Sequence, residues 1–341
     1  IFFRHAMWYV LILVLLTSSA TAGPYVNWTN EIADNSHRPC LRIHDFMYLL
    51  RRRQDRWHSK SGPHIWQELV SDKLAGYAFA LSVGVAVPKL IACLDSPQEL
   101  ARPYHSYGDP VVIKPHHGWL GAGVSVLWHG KDLLTNQYMT HNNLMHRLES
   151  RNERIGRAVL VEELALPRDG EEGLTRGTPR DYKCMMLGGE LQGVYMVERT
   201  RGQDCHTWRD RNWNPLPAPP PGSSHPVCPD NDVPRPEGFD LVVAAAERLG
   251  DALGIQQRID IYLTPSGAVL GEFTRWHQGA KPQKMSPEWR CRFARRWRGT
   301  EGAGDPPREI PDVLRGWGEK TLHEQCRLIQ GLQRRVLEEV H

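Results

Sequence analysis

Residues 257–274 read QRIDIYLTPSGAVLGEFT, and their alternation is that of a β-hairpin. Arg258, Asp260 and Tyr262 alternate with Ile259, Ile261 and Leu263, so one strand face is polar and the other apolar. Thr264, Pro265, Ser266 and Gly267 supply the turn, with Pro fixing φ and Gly permitting positive φ. The return strand is expected to place Leu270, Glu272 and Thr274 on one face and Val269, Gly271 and Phe273 on the other. With the turn centred near Ser266, Asp260 and Glu272 face each other. Two carboxylates about 5 Å apart, at an effective dielectric near 20, repel by roughly 3 kcal/mol and so need a cation or a shared proton. Mg²⁺ suits such hard oxygen ligands. The alternative is a solvated polar face on which Arg258 neutralises one acid.

Working back from the hairpin, residues 239–253 form an amphipathic or buried helix that closes at Gly250 and Gly254 and delivers the chain into it. Residues 180–187 and 190–199 form an earlier hairpin turned by Gly188 and Gly189. Between them, residues 201–236 are proline-rich and aperiodic, which reads as a surface loop, either a substrate lid or an insertion. Residues 170–177 read as a further, glycine-rich loop, and residues 158–164 as a strand that is buried until it runs out into Glu162 and Glu163. The end of such a strand can offer backbone groups to an adenine edge; an ordinary charged β-edge is the alternative. Residues 133–154 read as a polar helical stretch.

Residues 109–114 form a strand ending in Lys114, followed by the turn HHGWLGAG at 116–123 and a strand at 124–128. Glycines there let backbone N–H groups approach phosphate oxygens, while Lys114 adds a point charge. An ordinary hairpin with a mobile turn is the alternative, and His116 and His117 read as loop residues rather than metal ligands. Ser71, Asp72 and Lys73 open a helix with Leu74, Tyr77, Ala78 and Leu81 at helical spacing, ending near Gly84. A short extended segment follows at 85–92, and the basic run Arg51 to Arg53 reads as a solvated helix end. At the far end, Leu322, Cys326, Ile329, Leu332, Val336 and Val340 mark an amphipathic helix after a loop-like stretch at 299–312.

At 341 residues, 24% charged and with a net charge of +3, the chain is a globular body with no basic surface for nucleic acid. Arg4 and His5 precede the apolar run 7–16 and an Ala20-x-Ala22 ending, which reads as a signal peptide rather than an anchor, since about 20 apolar residues are needed to span a bilayer. The chain begins with Ile, which fits a fragment or an uncertain start, and a cytoplasmic location follows if that start is wrong. Asn27 heads an N-glycosylation sequon that matters only in a secretory lumen. The seven cysteines show no zinc spacing and no dense disulfide framework; Cys205 and Cys228, flanking the proline-rich loop, are the first candidate pair.

The ordered set resembles an ATP-grasp domain: Asp72 and Lys73 opening a helix, Lys114 before a glycine-rich loop, Val161 to Leu164, then Arg258-x-Asp260 and Gly271-Glu-x-Thr274. With Asp181-Tyr-Lys183 and residues 207–213 (TWRDRNW), it is similar to the TupA-like branch, named for teichuronopeptide biosynthesis, over roughly residues 72–285. The resemblance implies an α+β ATP-grasp fold, antiparallel sheets with flanking helices holding ATP between two lobes. The domain would span 72–298, after a lead-in at 23–71 and before a tail at 299–341. It also implies Lys73, Lys114 and the loop Gly118, Gly121 and Gly123 on ATP phosphates, with Glu162, Glu163 and Leu164 at the adenine. Arg258 and Lys183 would be catalytic, and Asp260, Glu272 and Thr274 would hold Mg²⁺. Thr274 departs from the usual Glu-x-Asn and suggests a bound water in place of an amide ligand. The implied chemistry is ligation of a carboxylate to an amine or thiol through an acyl phosphate, on small-molecule or glycan-linked substrates. Two rival classes are a metal-dependent glycosyltransferase, although no D-x-D motif is present, and a non-catalytic carbohydrate-binding relative, favoured by 12 tryptophans.

Overall fold

The computed structural model describes residues 46–58, 66–118, 121–155, 157–175, 177–200, 203–216, 228, 233–275, 290–291, 293–294, 296 and 309–339. The chain divides into two units, Ile1–Pro39 and Cys40–His341, and every described residue belongs to the second. The signal-like segment, the Asn27 sequon and most of the proline-rich loop lie outside the described residues. Among the described residues no helix is long and apolar enough to cross a membrane.

The elements in order are α1 (Phe46–His58), α2 (Lys73–Ser82), β1 (Leu90–Leu94), β2 (Val111–Pro115), β3 (Ser125–Trp128), β4 (Lys131–Asp132), β5 (Gln137–Tyr138), α3 (His141–Ile155), β6 (Val159–Glu163) and α4 (Glu171–Leu174). There follow β7 (Asp181–Leu187), β8 (Glu190–Thr200), β9 (Gln203–Arg209), α5 (Phe239–Leu253), β10 (Gln256–Thr264), β11 (Gly267–Thr274) and α6 (Leu322–Glu339). Two antiparallel sheets result, ordered β1-β6-β2-β3-β4-β5 and β11-β10-β7-β8-β9, so the fold is α+β as expected.

The five-stranded sheet is two-faced because its strands alternate. Ile259, Ile261, Cys184, Met186, Val194 and Met196 turn to a core shared with α5, which buries Phe239, Val242, Val243, Ala246, Leu249 and Leu253. Gly254 ends that helix in the left-handed conformation at φ 70°, which glycine adopts without the strain a Cβ brings. On the opposite face, Met185, Tyr195, Val197 and Trp208 pack with Phe46, Leu49 and Leu50 of α1. In the six-stranded sheet, Val111, Ile113, Val159 and Val161 pack in a separate cluster with Leu144 and Leu148 of α3.

Several sequence expectations need correction. β6 lies between β1 and β2, so it is not an edge strand. Residues 131–138 carry the short hairpin of β4 and β5 before α3 begins, the loop at 170–177 contains the single turn α4, and the first residues after 201 form β9. The extended segment after α2 becomes a strand only at Leu90; before it, Ala86 makes a parallel bridge to Val269. Arg53 is not a solvated helix end: it is buried, and it donates to Gln256 O at 3.0 Å and Gln256 Oε1 at 2.8 Å. Buried carbonyls at the start of β10 need donors, and the long Arg53 side chain reaches them.

The main hairpin has the expected register, Asp260 opposite Glu272 and Arg258 opposite Thr274, but a bulge follows. Asp260 pairs Glu272 while Ile261 pairs Leu270, so Gly271 is the extra residue and Leu270 joins Phe273 in the core rather than sharing a face with Glu272. A Cβ on Gly271 would lie 2.9 Å from Tyr262 Cε2 and 3.2 Å from Asp260 O. Gly271→Ala is therefore expected to destabilise the protein by about 1–3 kcal/mol in denaturant titration. An unchanged midpoint would mean that the bulge relaxes freely.

Cys205 and Cys228 form the disulfide expected of them, while Cys93–Cys326, joining β1 to α6 across 233 residues, was not foreseen. Buried Cys184 is the free cysteine among the described residues.

Candidate functional site

Asp72 caps α2, its Oδ1 accepting from Ala75 N at 2.9 Å, and this places Lys73 in the first turn. Lys73 Nζ donates to His116 O at 3.0 Å and to Gly118 O at 3.4 Å, so α2 is tied to the glycine loop after β2. In that loop Gly121 and Gly123 have φ of 69° and 78°, a conformation that side-chain-bearing residues rarely adopt.

Lys114, on β2, stands beside Lys73 and closes a triangle. Its ammonium lies 2.6 Å from Glu162 Oε2 and donates to Tyr77 Oη at 2.8 Å, while Tyr77 Oη donates to Glu162 Oε1 at 3.0 Å. Burial, then the Glu162 charge, pushes the Tyr77 phenol well above its usual pKa, so it remains a neutral donor. An ammonium has three protons, and two of those on Lys114 are used here. Lys73 has no carboxylate ion pair among the described residues; burial and the neighbouring Lys114 lower its pKa, and Glu272 and Glu162 oppose that shift.

The second half of the site is a ladder of charges across three strands, Lys183 on β7, Asp260 on β10 and Glu272 on β11, set opposite one another by the register. Arg258, two residues before Asp260, shares its face. The guanidinium grips Asp260 with Nε to Oδ1 at 2.6 Å and Nη2 to Oδ2 at 2.7 Å, and reaches Glu272 Oε1 at 3.3 Å. Lys183 Nζ bridges Asp181 Oδ2 and Asp260 Oδ2, at 2.5 Å each. Burial would raise the Asp260 pKa, but the charges of Arg258 and Lys183 override it and hold the carboxyl below its usual range. Burial likewise opposes the charge on Arg258, and Asp260 keeps it protonated.

Asp260 and Glu272 are thus not a bare repelling pair: Asp260 is committed to two cations, as the neutralising alternative expected. Glu272 is the open acid, its side chain 44% exposed. Among the described residues its Oε1 takes the long Arg258 contact and one at 3.5 Å from Thr274 Oγ1.

The structure therefore brings Lys73, Lys114, Glu162 and Glu272 together, with Arg258, Lys183, Asp260 and Thr274 continuing from Glu272. The Glu163 side chain turns to the other face of β6 and pairs with exposed Lys89 at 3.1 Å, and the Leu164 side chain is buried against Val126 and Leu174, so neither side chain joins this cluster. Tyr77 escaped the sequence reading, because it falls on the apolar stripe of α2 and reads as core; Asp181 figures in that reading within the Asp181-Tyr-Lys183 motif but without a role, although it shares a strand face with Lys183 at i and i+2.

No family model matches the sequence, and no curated protein does. Solved structures similar to it include D-alanine–D-alanine ligase from Bacillus anthracis complexed with ATP, at 16% identity and TM-score 0.39, covering 69% of this chain and 68% of that one. The enzyme of the same name from Helicobacter pylori is 13% identical at TM-score 0.37, covering 66% and 57%. The ATP-grasp ligase PsnB, complexed with a phosphomimetic variant of its minimal precursor, Mg and ADP, is 15% identical at TM-score 0.39, covering 80% and 75%.

Proposed function

We propose that this chain is an ATP-grasp ligase that binds Mg·ATP between Lys73 and Lys114 on one side and Glu272 on the other. It would use the nucleotide to join a carboxylate to an amine or thiol. The observation that carries the reading is the convergence of Lys73, which has no carboxylate ion pair among the described residues, with Lys114 and the open acid Glu272. Two cations held together against their repulsion are stabilised by a polyanion, and an exposed carboxylate beside them is a hard ligand for a cation bound to that polyanion. Glu272 would hold Mg²⁺ together with the remaining lone pair of Asp260 Oδ1, and Thr274 would orient a water.

Mg·ATP supplies a phosphoryl group that converts a carboxylate into an acyl phosphate, and charge spreads over the transferring oxygens. Arg258, fixed by Asp260 and still charged, is placed to stabilise that charge, and Lys183 holds Asp260 from the other side. Lys73 ties down the loop whose left-handed glycines can turn N–H groups to phosphate.

The finer reading, a TupA-like enzyme acting in polysaccharide or glycopeptide biosynthesis, rests on Asp181-Tyr-Lys183 and the residues 207–213 and belongs to the same proposal. So does secretory targeting by residues 1–22. The disulfides Cys93–Cys326 and Cys205–Cys228 support an oxidising compartment, where ATP would have to be supplied.

Lys73→Ala tests the nucleotide site. It removes a charged donor, worth about 1.5–3 kcal/mol, so Mg·ATP affinity by calorimetry should fall roughly 10–100-fold. Stability should change by less than that, because the loss of two carbonyl contacts is offset by relief of the burial and the Lys114 repulsion that oppose the Lys73 charge. Unchanged affinity would remove the phosphates from this position. For the reaction, ADP release should require both a carboxylate and an amine or thiol; release with a hydroxyl acceptor alone would indicate a kinase.

A further inference from the structure

Beside the nucleotide site, three potential metal ligands converge that the ligase reading leaves unused. Asp72, His116 and His117 bring one carboxylate oxygen and two ring nitrogens within 4.8 Å of one another, the group among the described residues that does so. His116 Nε2 lies 2.7 Å from Asp72 Oδ2, and His117 Nδ1 lies 3.6 Å from the same oxygen. We propose that these three residues form a site for Zn²⁺ or a cation of similar softness, which fastens the glycine loop to the first turn of α2.

Four features carry this. Zn²⁺ binds imidazole nitrogen at about 2.0–2.1 Å and carboxylate oxygen at about 2.0–2.2 Å, so neighbouring ligands of a tetrahedron stand roughly 3.3 Å apart. The separations of 2.7 and 3.6 Å bracket that value. The backbone also leaves its strand at Pro115: consecutive side chains in a strand diverge, whereas these two rings lie on one side, stacked at 31° with centroids 4.1 Å apart, and would swing apart to about 5 Å when both bind one tetrahedral ion. Moreover, His116 Nε2 is buried 2.7 Å from Asp72 Oδ2 without an aligned hydrogen bond, a geometry that an ion between the two atoms satisfies as well as an ion pair does. Finally, Asp72 Oδ1 is occupied as the helix cap, which orients Oδ2 toward the rings, and His117 is exposed, which gives the ion a way in. Two imidazoles exclude Mg²⁺ as the natural occupant, since it takes oxygen ligands. The fourth coordination position is left to water or an anion.

The test uses Zn²⁺ alone, with no nucleotide, so its outcome is independent of the ligase reading. Full-length protein stripped with chelator should take up one equivalent of Zn²⁺ that Mg²⁺ does not displace, with a rise in melting temperature. Co²⁺ in its place should give the visible absorption of a tetrahedral site. His117→Ala changes an exposed side chain and should leave the fold intact. Loss of an outer partner of a ligand already costs about 10–100-fold in affinity, so loss of a ligand should cost about 100-fold or more and abolish the Co²⁺ spectrum. Asp72→Asn should weaken binding in the same direction. Absence of Zn²⁺ uptake by the wild-type protein at micromolar concentration, or equal uptake and an equal Co²⁺ spectrum in His117→Ala, would overturn the proposal.

Discussion

Asp260→Asn is expected to destabilise the metal-free protein by about 3–5 kcal/mol, the cost of breaking a buried ion pair and leaving its cations behind. The carboxylate is 2% exposed and takes two bonds from Arg258 and one from Lys183. Asparagine keeps the shape but offers a single neutral oxygen, and its NH₂ group points a donor at donors. Asp181 still pairs with Lys183, so that lysine retains one partner, while Arg258 keeps only the 3.3 Å contact with Glu272. Denaturant titration in chelator measures the loss. A variant as stable as the wild type, or more stable, would mean that Asp260 and Glu272 repel one another and that the cations do not govern the site. Glu272→Gln is the control: its acid is half-exposed, so its effect on stability is expected to stay within about 1 kcal/mol.

The same pair sets a pH dependence. Asp260 has a folded pKa held below the ordinary carboxylate value, so its contribution is complete above the unfolded pKa, about 3.9 for Asp. It is lost as pH falls from there through the folded value. The acid limb of the stability curve should accordingly be steeper in the wild type than in Asp260→Asn.

The site was legible in the sequence where local rules act alone. The first strand of the 257–274 hairpin alternates and its turn carries Pro and Gly, so the pairing of Asp260 with Glu272 followed from spacing. Asp72 precedes an apolar helical run, so the cap followed too. The reading failed where one residue breaks the period or where partners come from distant segments. Gly271 adds a residue to β11 and moves Leu270 to the core, which alternation cannot anticipate. Tyr77 obeys the helical stripe with its ring and serves the site with its hydroxyl, and spacing reports only the ring. Arg53 belongs to a basic run that resembles any solvated helix end, and its bonds to Gln256, 203 residues away, and to the Arg275 carbonyl cannot be read from spacing. The disulfide Cys205–Cys228 was legible because it flanks one loop; Cys93–Cys326 depends on α6 returning to β1.

Lys114 belongs to both the fold and the proposed nucleotide site, and a pair of variants separates the two roles. Lys114→Met should cost about 3–5 kcal/mol, because Glu162 is 1% exposed and would keep only Tyr77 as a partner. The double variant Lys114→Met/Glu162→Gln should recover most of that loss, since the stranded charge is gone and the amide oxygen can still accept from Tyr77 Oη. The double-mutant cycle should then give a coupling of about 2 kcal/mol or more between the two residues. Nucleotide binding should behave differently: if the third proton of Lys114 serves phosphate, the double variant, though nearly as stable as wild type, should still bind Mg·ATP about ten-fold or more weakly. Stability that does not recover would place the cost of Lys114→Met in lost packing of its stem. Full recovery of Mg·ATP affinity along with stability would reduce Lys114 to a structural partner of Glu162, and Lys73 would then be the phosphate-binding lysine on this side of the site.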